Sequence, residues 1–533
     1  MQEKRFVKEI IKRVESLKAA RKPFESAWQE IAKYTQDNTD MFDNSQNPDL
    51  LARLRVYDGT AAHSRDQLAA YLHAGLTNPA SKWFMLKPQD TEAAEDDDAK
   101  RWLEDARDKM LRVFNSPNSN FNAQNHELML DLVTYGTAAM FTDSDFKNGI
   151  SFMSHPLSEI FIADDHRGIV DFVAREFCLT GRQAKQRWGK DLGIEILKEI
   201  DKEPDDKIKF IHIVMPREEP SNKGYKATKL LFASFYICPD KMKLVSEGGY
   251  HEFPWSVPRW IKKTGNPYGY GAAWNALPEM RTVNEMVKTL IKAGQKTVDP
   301  PVAMSDDGVL MPLRLQPGGI NMGGIDYNGQ MRIKPIHLTG NIEFGLKLIE
   351  RETEAIKDKF FVNELQLGDR PRMTELEVAQ RQNDSLRLTG PQRDRIQVEH
   401  LSPVIYRVFN LLLRNGDLGT PPEVLLDKDV VVEYLSPLSK LQSGSEVDAV
   451  LRSMSQVVPL VQIDPSIMDN VDVDKAVRFI FEGNGAPLKI IRKLEELQAM
   501  REERSEMQSQ QAQLQQFQQM AEIAKTGNEA FKE

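Results

Sequence analysis

PWSVPRWIKKTGNPYGYGAAWNALPEMRTVNEMVKTLIKAGQKTVDPP, residues 254–301, marks a turn-rich boundary between the upstream and downstream parts of the chain. Pro254, Pro258, Gly265, Pro267, Gly269 and Gly271 crowd its first half, and these residues favour turns over any continuous helix. From about residue 275 to Thr297 the punctuation stops, so a long helix is expected, ended by Pro300-Pro301. At about 100° per residue, Arg281, Lys288, Lys292 and Lys296 fall within about 80° of one another, with Glu285 the one acid among them. Val283, Met286, Leu290, Ala293 and Gly294 take the opposite face. The helix is two-sided, a basic ribbon behind an apolar seam.

Downstream, Val302 to Thr339 is rich in Gly and Pro with short strand-like runs, and PGGINMGG (317–324) reads as tight turns. A second helix, Asn341 to Phe361, places Leu346, Ile349, Ile356 and Phe360 on one face. Two helices flanking a small β insert make a hairpin-like arm. Gly368 and Pro371 break the helical period over 362–372. A long helix is then expected from Thr374, interrupted at Pro391 and resuming through Val398, Ile405 and Phe409 to Leu413. Asp427 to Tyr434 reads as a strand, and everything from Glu446 as helix. Eight of the twelve residues from Gln508 to Gln519 are Gln, which suits a solvated helix ordered within an assembly better than an autonomous coiled coil.

Upstream, Phe6, Ile10, Val14 and Leu17 recur at helical spacing, Pro23 is expected to open a second helix, and a third runs from about Thr60 to Asn78-Pro79. Asn44 to Asp49 reads as a polar turn. The acids Glu95 to Asp98 precede the amphipathic run Trp102, Ala106, Met110, Phe114, where carboxylates favour a helix N-terminus. A further helix, about Asn122 to Tyr135, ends at Gly136. From Gly149 to Trp260 the period becomes that of short strands, interrupted by a helix over Gly181 to Trp188 capped by Thr180. The fold class is α+β, helix-rich, with a mostly antiparallel sheet.

Seventy Lys and Arg against 79 Asp and Glu give the 533-residue chain a formal charge of −9, which argues against tight neutralisation of phosphates as its main task. Two cysteines, Cys178 and Cys238, exclude a disulfide scaffold and a cysteine-rich zinc site. Apolar runs such as Phe232 to Cys238 fall short of the roughly 18 residues of a membrane span, and the charged N-terminus lacks the apolar core of a secretory signal. A soluble, intracellular, multidomain protein is expected. Catalytic motifs are missing: no phosphate-binding G-x-x-x-x-G-K-[ST] loop, Leu130 where H-E-x-x-H needs its second His, and no G-x-S-x-G elbow. His63 and His73, ten apart, are poorly placed to share a ligand, and Asp164-Asp165-His166 reads as a turn after a strand. No enzyme, metal or cofactor is expected.

Two separate motifs, PWSVPRW-(x)4-GNPYGYG-(x)5-LPEMRTVNEM and PRMTELEVAQRQND-(x)4-TGPQRDRIQVEHLSPVIYRVFNLLLRNG, occur in an order that resembles the portal (head-to-tail connector) proteins of short-tailed, double-stranded-DNA bacteriophages. The similarity is clearest from about Phe253 to Gly416. It implies a subunit shaped as a ring sector, usually of a dodecamer, with DNA on the axis. Residues 1–274 would be the wing, helical first and then α+β with antiparallel strands from about residue 149; 275–297 and 341–361 the two stem helices; and 298–340 the clip. Residues 362–374 would form the tunnel loop, 375–445 a long kinked helix returning to the wing, and 446–533 a C-terminal helical crown or barrel.

The resemblance also implies a ring at the portal vertex of the virion, assembled in the host cytoplasm and serving as channel for packaging and ejection. Its expected partners are the terminase large subunit, then the tail adaptor or tube, and the major capsid and scaffolding proteins, with no membrane. Arg281, Lys288, Lys292, Lys296, Arg370 and Arg372 are the candidate phosphate contacts, though the ribbon serves equally to pair with acids on a neighbouring subunit. Arg314, Asp326, Arg332 and Lys334 are the candidate partner contacts of the clip. The alternatives are another non-enzymatic phage tail-ring or internal core protein and, more remotely, a Mg²⁺-dependent nucleic-acid enzyme.

Overall fold

The first 34 residues build one helix rather than the two expected. Helices in chain order are α1 (Gln2–Tyr34), α2 (Thr60–Leu76), α3 (Asp97–Asn115), α4 (Phe121–Tyr135), α5 (Gly181–Trp188) and α6 (Ile194–Lys202). From Leu277 onward the longer helices are α7 (Leu277–Val298), α8 (Ile342–Lys359), α9 (Gly390–Ile396), α10 (Ser402–Arg414), α11 (Pro437–Val461) and α12 (Val473–Gly483). The strands are β1 (Phe84–Pro88), β2 (Ala139–Asp145), β3 (Gly149–His155), β4 (Ile160–Asp164), β5 (Val170–Thr180), β6 (Lys207–Pro216) and β7 (Phe232–Cys238). They continue with β8 (Lys243–Tyr250), β9 (Trp255–Ser256), β10 (Ile261–Lys262), β11 (Gly269–Tyr270), β12 (Val302–Met304), β13 (Ile333–Pro335) and β14 (Val430–Tyr434). This computed structural model describes residues 2–35, 56–90, 93–94, 96–145, 149–217, 230–304, 320, 322, 324–325, 327–336, 342–365, 389–426, 428–435, 437–461, 470–483, 486, 490–492, 496–511 and 513. Two units form, Met1–Pro79 with Phe114–Val408, and Ala80–Val113 with Phe409–Glu533.

In the first unit β4-β5-β6-β7-β8 make a five-stranded antiparallel sheet. Its strands alternate between two buried faces. Phe172, Ile211, Ile213 and Phe235 meet Val7, Ile10 and Val14 of α1 on one face. Phe177, Phe210 and Cys238 meet Ala184 of α5 and Leu192, Ile196 and Ile200 around α6 on the other. The α5 start is as read: the Thr180 hydroxyl accepts from the Gln183 backbone N–H, and the Gln183 side chain accepts from that of Thr180. α1 continues through Pro23 because both sides of it are held. Arg21 donates to the carbonyls of Leu157, Ser158 and Ile160 at 2.8–2.9 Å. Beyond the proline, Phe24 and Trp28 pack with Tyr135, Trp255 and Tyr268. That burial offsets the roughly 3 kcal/mol an interior proline costs.

A second sheet, β3-β2-β9, has β2 at its centre. The strands begin ten residues earlier than expected, because AMFTDSD carries too few alternating apolar residues to read as a strand. The glycines of the 265–271 turn have a packing reason. Gly136 closes α4 at φ +83°, and its carbonyl accepts from the Trp260 N–H at 2.9 Å. A Cβ on Gly269 would stand 2.3 Å from that carbonyl, and one on Gly271 would stand 2.6 Å from the Val133 carbonyl. The backbone of the turn thus lies directly against the end of α4.

The helix of 390–414 begins with Pro391 near its N-terminus, then widens into a π turn at Gln397–Leu401. The expected stretch from Thr374 lies outside the described residues up to 388. The extra residue of the π turn lets neighbouring Glu399 and His400 both reach inward. Glu399 grips the buried Arg259 guanidinium through both oxygens (2.7 and 3.1 Å) and also accepts from the Arg259 backbone N–H at 2.8 Å. Fully buried His400 lies 2.9 Å from both Asn125 Oδ1 and Ser256 Oγ. Asn125 Nδ2 donates to Thr77 Oγ1 at 2.8 Å, so its oxygen faces His400, which must be protonated on Nε2 and accept on Nδ1. Burial pushes the His400 imidazole down to about 3, so it is neutral.

In the second unit β1 pairs antiparallel with β14, from Phe84↔Tyr434 to Pro88↔Val430. The strand was legible, its partner was not. Asp96 caps α3 by accepting from the Ala99 N–H at 2.7 Å, and Asp97 binds Arg478 of α12. The acids expected to favour a helix start therefore do so. Helical residues 501–511 are exposed; the rest of the Gln-rich segment, residue 513 apart, lies outside the described residues.

Candidate functional site

α7 and α8 form an antiparallel pair that is buried at one end and exposed at the other. Leu277, Met280, Val283 and Asn284 of α7 are buried, as are Ile356 of α8 and Phe360 and Val362 just after it. The root is fastened by polar contacts as well. Asn284 Oδ1 accepts from the Tyr57 N–H at 2.8 Å, and Arg281 forms a bidentate ion pair with Glu30 of α1. Burial first, then the Glu30 carboxylate, raises the neighbouring Tyr34 phenol. Away from this root the apolar seam faces α8 within the same chain. Met286, Leu290 and Ala293 line a shallow groove with Ile342, Gly345, Leu348 and Ile349, and a Cβ on Gly345 would stand 3.7 Å from Leu290 Cδ1. That is ordinary van der Waals distance, so the helix spacing has room for a methyl group at this position.

The basic ribbon is divided by this geometry. Arg281 is held by Glu30, and Lys288 is hydrogen-bonded to Glu285 at 3.0 Å, which raises its ammonium pKa. Lys292 and Lys296 are exposed, with no acid within ion-pair distance among the described residues. Arg370 and Arg372 lie outside the described residues. The ribbon is continuous in the sequence, but two of its four cations already have intramolecular acids.

At the exposed end the chain makes a small β unit. β12 pairs with β13 from Val302↔Pro335 to Met304↔Ile333, and Ile325 bridges Met331. Ile320, Met322, Ile325, Tyr327 and Met331 are each at least 65% exposed, a concentration of apolar side chains that points to a partner surface. Arg332 and Lys334 sit within this unit, Lys334 opposite Ala303. Arg314 and Asp326 fall outside the described residues.

Other residues weighed for chemistry stay apart. His63 is exposed, while half-buried His73 contacts Thr77 and Asn125. Asp165 closes the expected turn by accepting from the Arg167 and Ile169 N–H groups, which hold its carboxyl below the usual range. Sequence reasoning missed the Arg259–Glu399 clamp. The two residues are 140 positions apart, and only the Pro258-Arg259-Trp260 turn marked one of them.

Residues 7–491 match the family described as bacteriophage head to tail connecting protein. The chain is similar to the portal protein of Salmonella phage epsilon15, 27% identical over 503 residues that cover 92% of this chain and 89% of that one. It is also 27% identical over 481 residues to the "Probable portal protein" of Bordetella phage BPP-1, covering 87% of this chain and 85% of the other.

Proposed function

We propose, from the premise that the chain belongs to the bacteriophage head-to-tail connecting protein family, that it closes into a ring at one capsid vertex with double-stranded DNA on the ring axis. The chain is a head-to-tail connector, a structural protein and not an enzyme. The proposed ring is a dodecamer that nucleates capsid assembly, admits DNA during packaging and releases it at ejection. Residues 1–274 form its wing, 275–297 and 341–361 the stem, 298–340 the clip, 362–374 the tunnel loop, 375–445 the return to the wing and 446–533 the crown or barrel. The clip docks the terminase during filling and the tail adaptor afterwards, with Arg314, Asp326, Arg332 and Lys334 among its contacts.

The observation that carries this reading is the two-helix arm, rooted at one end and ending in an apolar β unit at the other. An exposed apolar tip needs a partner, and a rigid root delivers it at a fixed place. Lys292 and Lys296 supply phosphate contacts together with Lys288, Arg370 and Arg372, while Arg281 takes part only by exchanging Glu30 for a phosphate. Few cations in a chain of charge −9 give weak, salt-sensitive contact, which lets DNA slide.

Native mass spectrometry with electron microscopy of the purified chain tests the ring. A closed particle with a central hole is expected, and a stable monomer or dimer at micromolar concentration overturns it.

A further inference from the structure

α1 carries a charge pattern that no contact among the described residues explains. Residues 2–22 hold eight basic and three acidic side chains in a chain whose total is −9. Arg5 pairs with Glu9, Arg13 lies over the Phe172 ring, Lys18 pairs with Glu176, and Arg21 is buried on carbonyls. Lys4, Lys8 and Lys12 are exposed at four-residue spacing, with no acid in ion-pair distance among the described residues. Like charges at that spacing repel and cost the helix a few tenths of a kcal/mol per pair.

The opposite face of the same five-stranded sheet carries the complementary excess. There α6 and the turn after it, residues 191–206, hold seven acids and two bases. Glu199 is paired with Lys241 and Asp201 with Lys185. Glu195, Glu203, Asp205 and Asp206 are exposed, and Glu203 is crowded enough by Asp206 that the pair shares a hydrogen bond and the Glu203 carboxyl is raised. Each patch is electrostatically unfavourable in the isolated subunit, and the two point away from each other across one sheet.

We infer that these patches meet between copies: Lys4, Lys8 and Lys12 of one subunit seat against Glu195, Glu203, Asp205 and Asp206 of the next. A contact between two different surfaces of the same chain is head-to-tail, the type that closes into a ring when its rotation does. It rests on the ring reading above and names a contact outside the helical arm. The contact relieves both repulsions at once and sets the register between neighbouring copies.

The test uses the full-length chain in three variants: Lys4, Lys8 and Lys12 all to Glu; Glu203, Asp205 and Asp206 all to Lys; and the two sets combined. Sedimentation velocity and native mass spectrometry read the concentration at which rings form, and circular dichroism checks that each variant is folded. Each single set is expected to raise that concentration about tenfold at about 0.1 M salt, and the combination to restore it. Single-set variants that assemble like the wild-type chain, or a combination no better than either, overturn the contact. A lysine set that assembles normally and loses only duplex-DNA binding assigns the stripe to DNA and overturns it too. A wild-type chain that forms no ring sinks the ring reading itself, a result recorded before any variant is made.

Discussion

Acidification should loosen the first unit through its buried neutral histidines, and His400 gives the cleanest case. Its pKa falls from an ordinary 6.5 to about 3, and burial is the cause. The unfolded chain takes up a proton near pH 6.5 that the folded chain refuses until near pH 3. The stabilisation is therefore fully present above about pH 6.5 and is lost as the pH falls toward about 3. At about pH 5 the loss is about 1.5 pH units at 1.36 kcal/mol each, or about 2 kcal/mol. His155 is also depressed to about 3, by burial first and then by Arg175 and Arg187, and adds a similar amount. Together they remove about 4 kcal/mol, a large part of the 5–15 kcal/mol that typically holds a domain together. The assay is urea unfolding followed by tryptophan fluorescence at about pH 7.5 and about pH 5, on wild type and on His400→Asn. The variant loses stability at both pH values, because Ser256 and Asn125 lose a partner, but its drop on acidification should be smaller by about 2 kcal/mol. Equal drops in the two proteins would mean that His400 is protonated in the folded state and that its burial does not exclude charge.

Glu399→Ala leaves the buried Arg259 guanidinium with Asp164, at 3.6 Å, in place of its bidentate partner and should cost about 3 kcal/mol in unfolding free energy, with Glu399→Gln intermediate; a loss below about 1 kcal/mol refutes the clamp. Gly136→Ala would put a methyl group 2.2 Å from the Gly271 nitrogen at a positive φ, so expression should yield insoluble protein, and a soluble variant with unchanged melting temperature contradicts the backbone contact. Lys292→Glu with Lys296→Glu should lower DNA retention in filled particles while leaving ring formation intact, as these lysines have no intramolecular role among the described residues. Arg281→Glu should instead lower melting temperature, because it sets a carboxylate against Glu30 at the root of the arm.

How far the sequence carried depends on whether the determining contacts are local. The arm helices, the Thr180 cap, the Gly136 stop and the alternating strands from residue 149 are encoded within a few residues of themselves, and they lie where their periods place them. Pro23 and β2 went unread for opposite reasons. Pro23 carries a strong local signal that distant packing of Phe24 and Trp28 overrides, and β2 carries almost no local signal because its neighbours β3 and β9 define it. The GNPYGYG glycines signalled a turn correctly, yet their steric reason, the end of α4 about 130 residues earlier, has no trace in that stretch.

The basic ribbon shows most clearly why a helical wheel alone does not yield a site. Arg281, Lys288, Lys292 and Lys296 are equivalent by angle, and the wheel has no coordinate for depth along the helix. Depth separates them: α7 is buried through Asn284 and exposed beyond about residue 290, so Arg281 lies where α1 can bring Glu30 to it. A cation near the root is in reach of its own subunit's acids, whereas Lys292 and Lys296, nearer the tip, have no acid in ion-pair distance among the described residues. The same division governs the apolar seam, which is packed into the body at Val283 and becomes an open groove against α8 at Met286, Leu290 and Ala293. Charge-reversal at the root and at the tip should therefore separate into two phenotypes, stability for Arg281 and DNA retention for Lys292 and Lys296. A single shared phenotype across all four positions would mean that the ribbon acts as one surface and that the Glu30 pair is incidental.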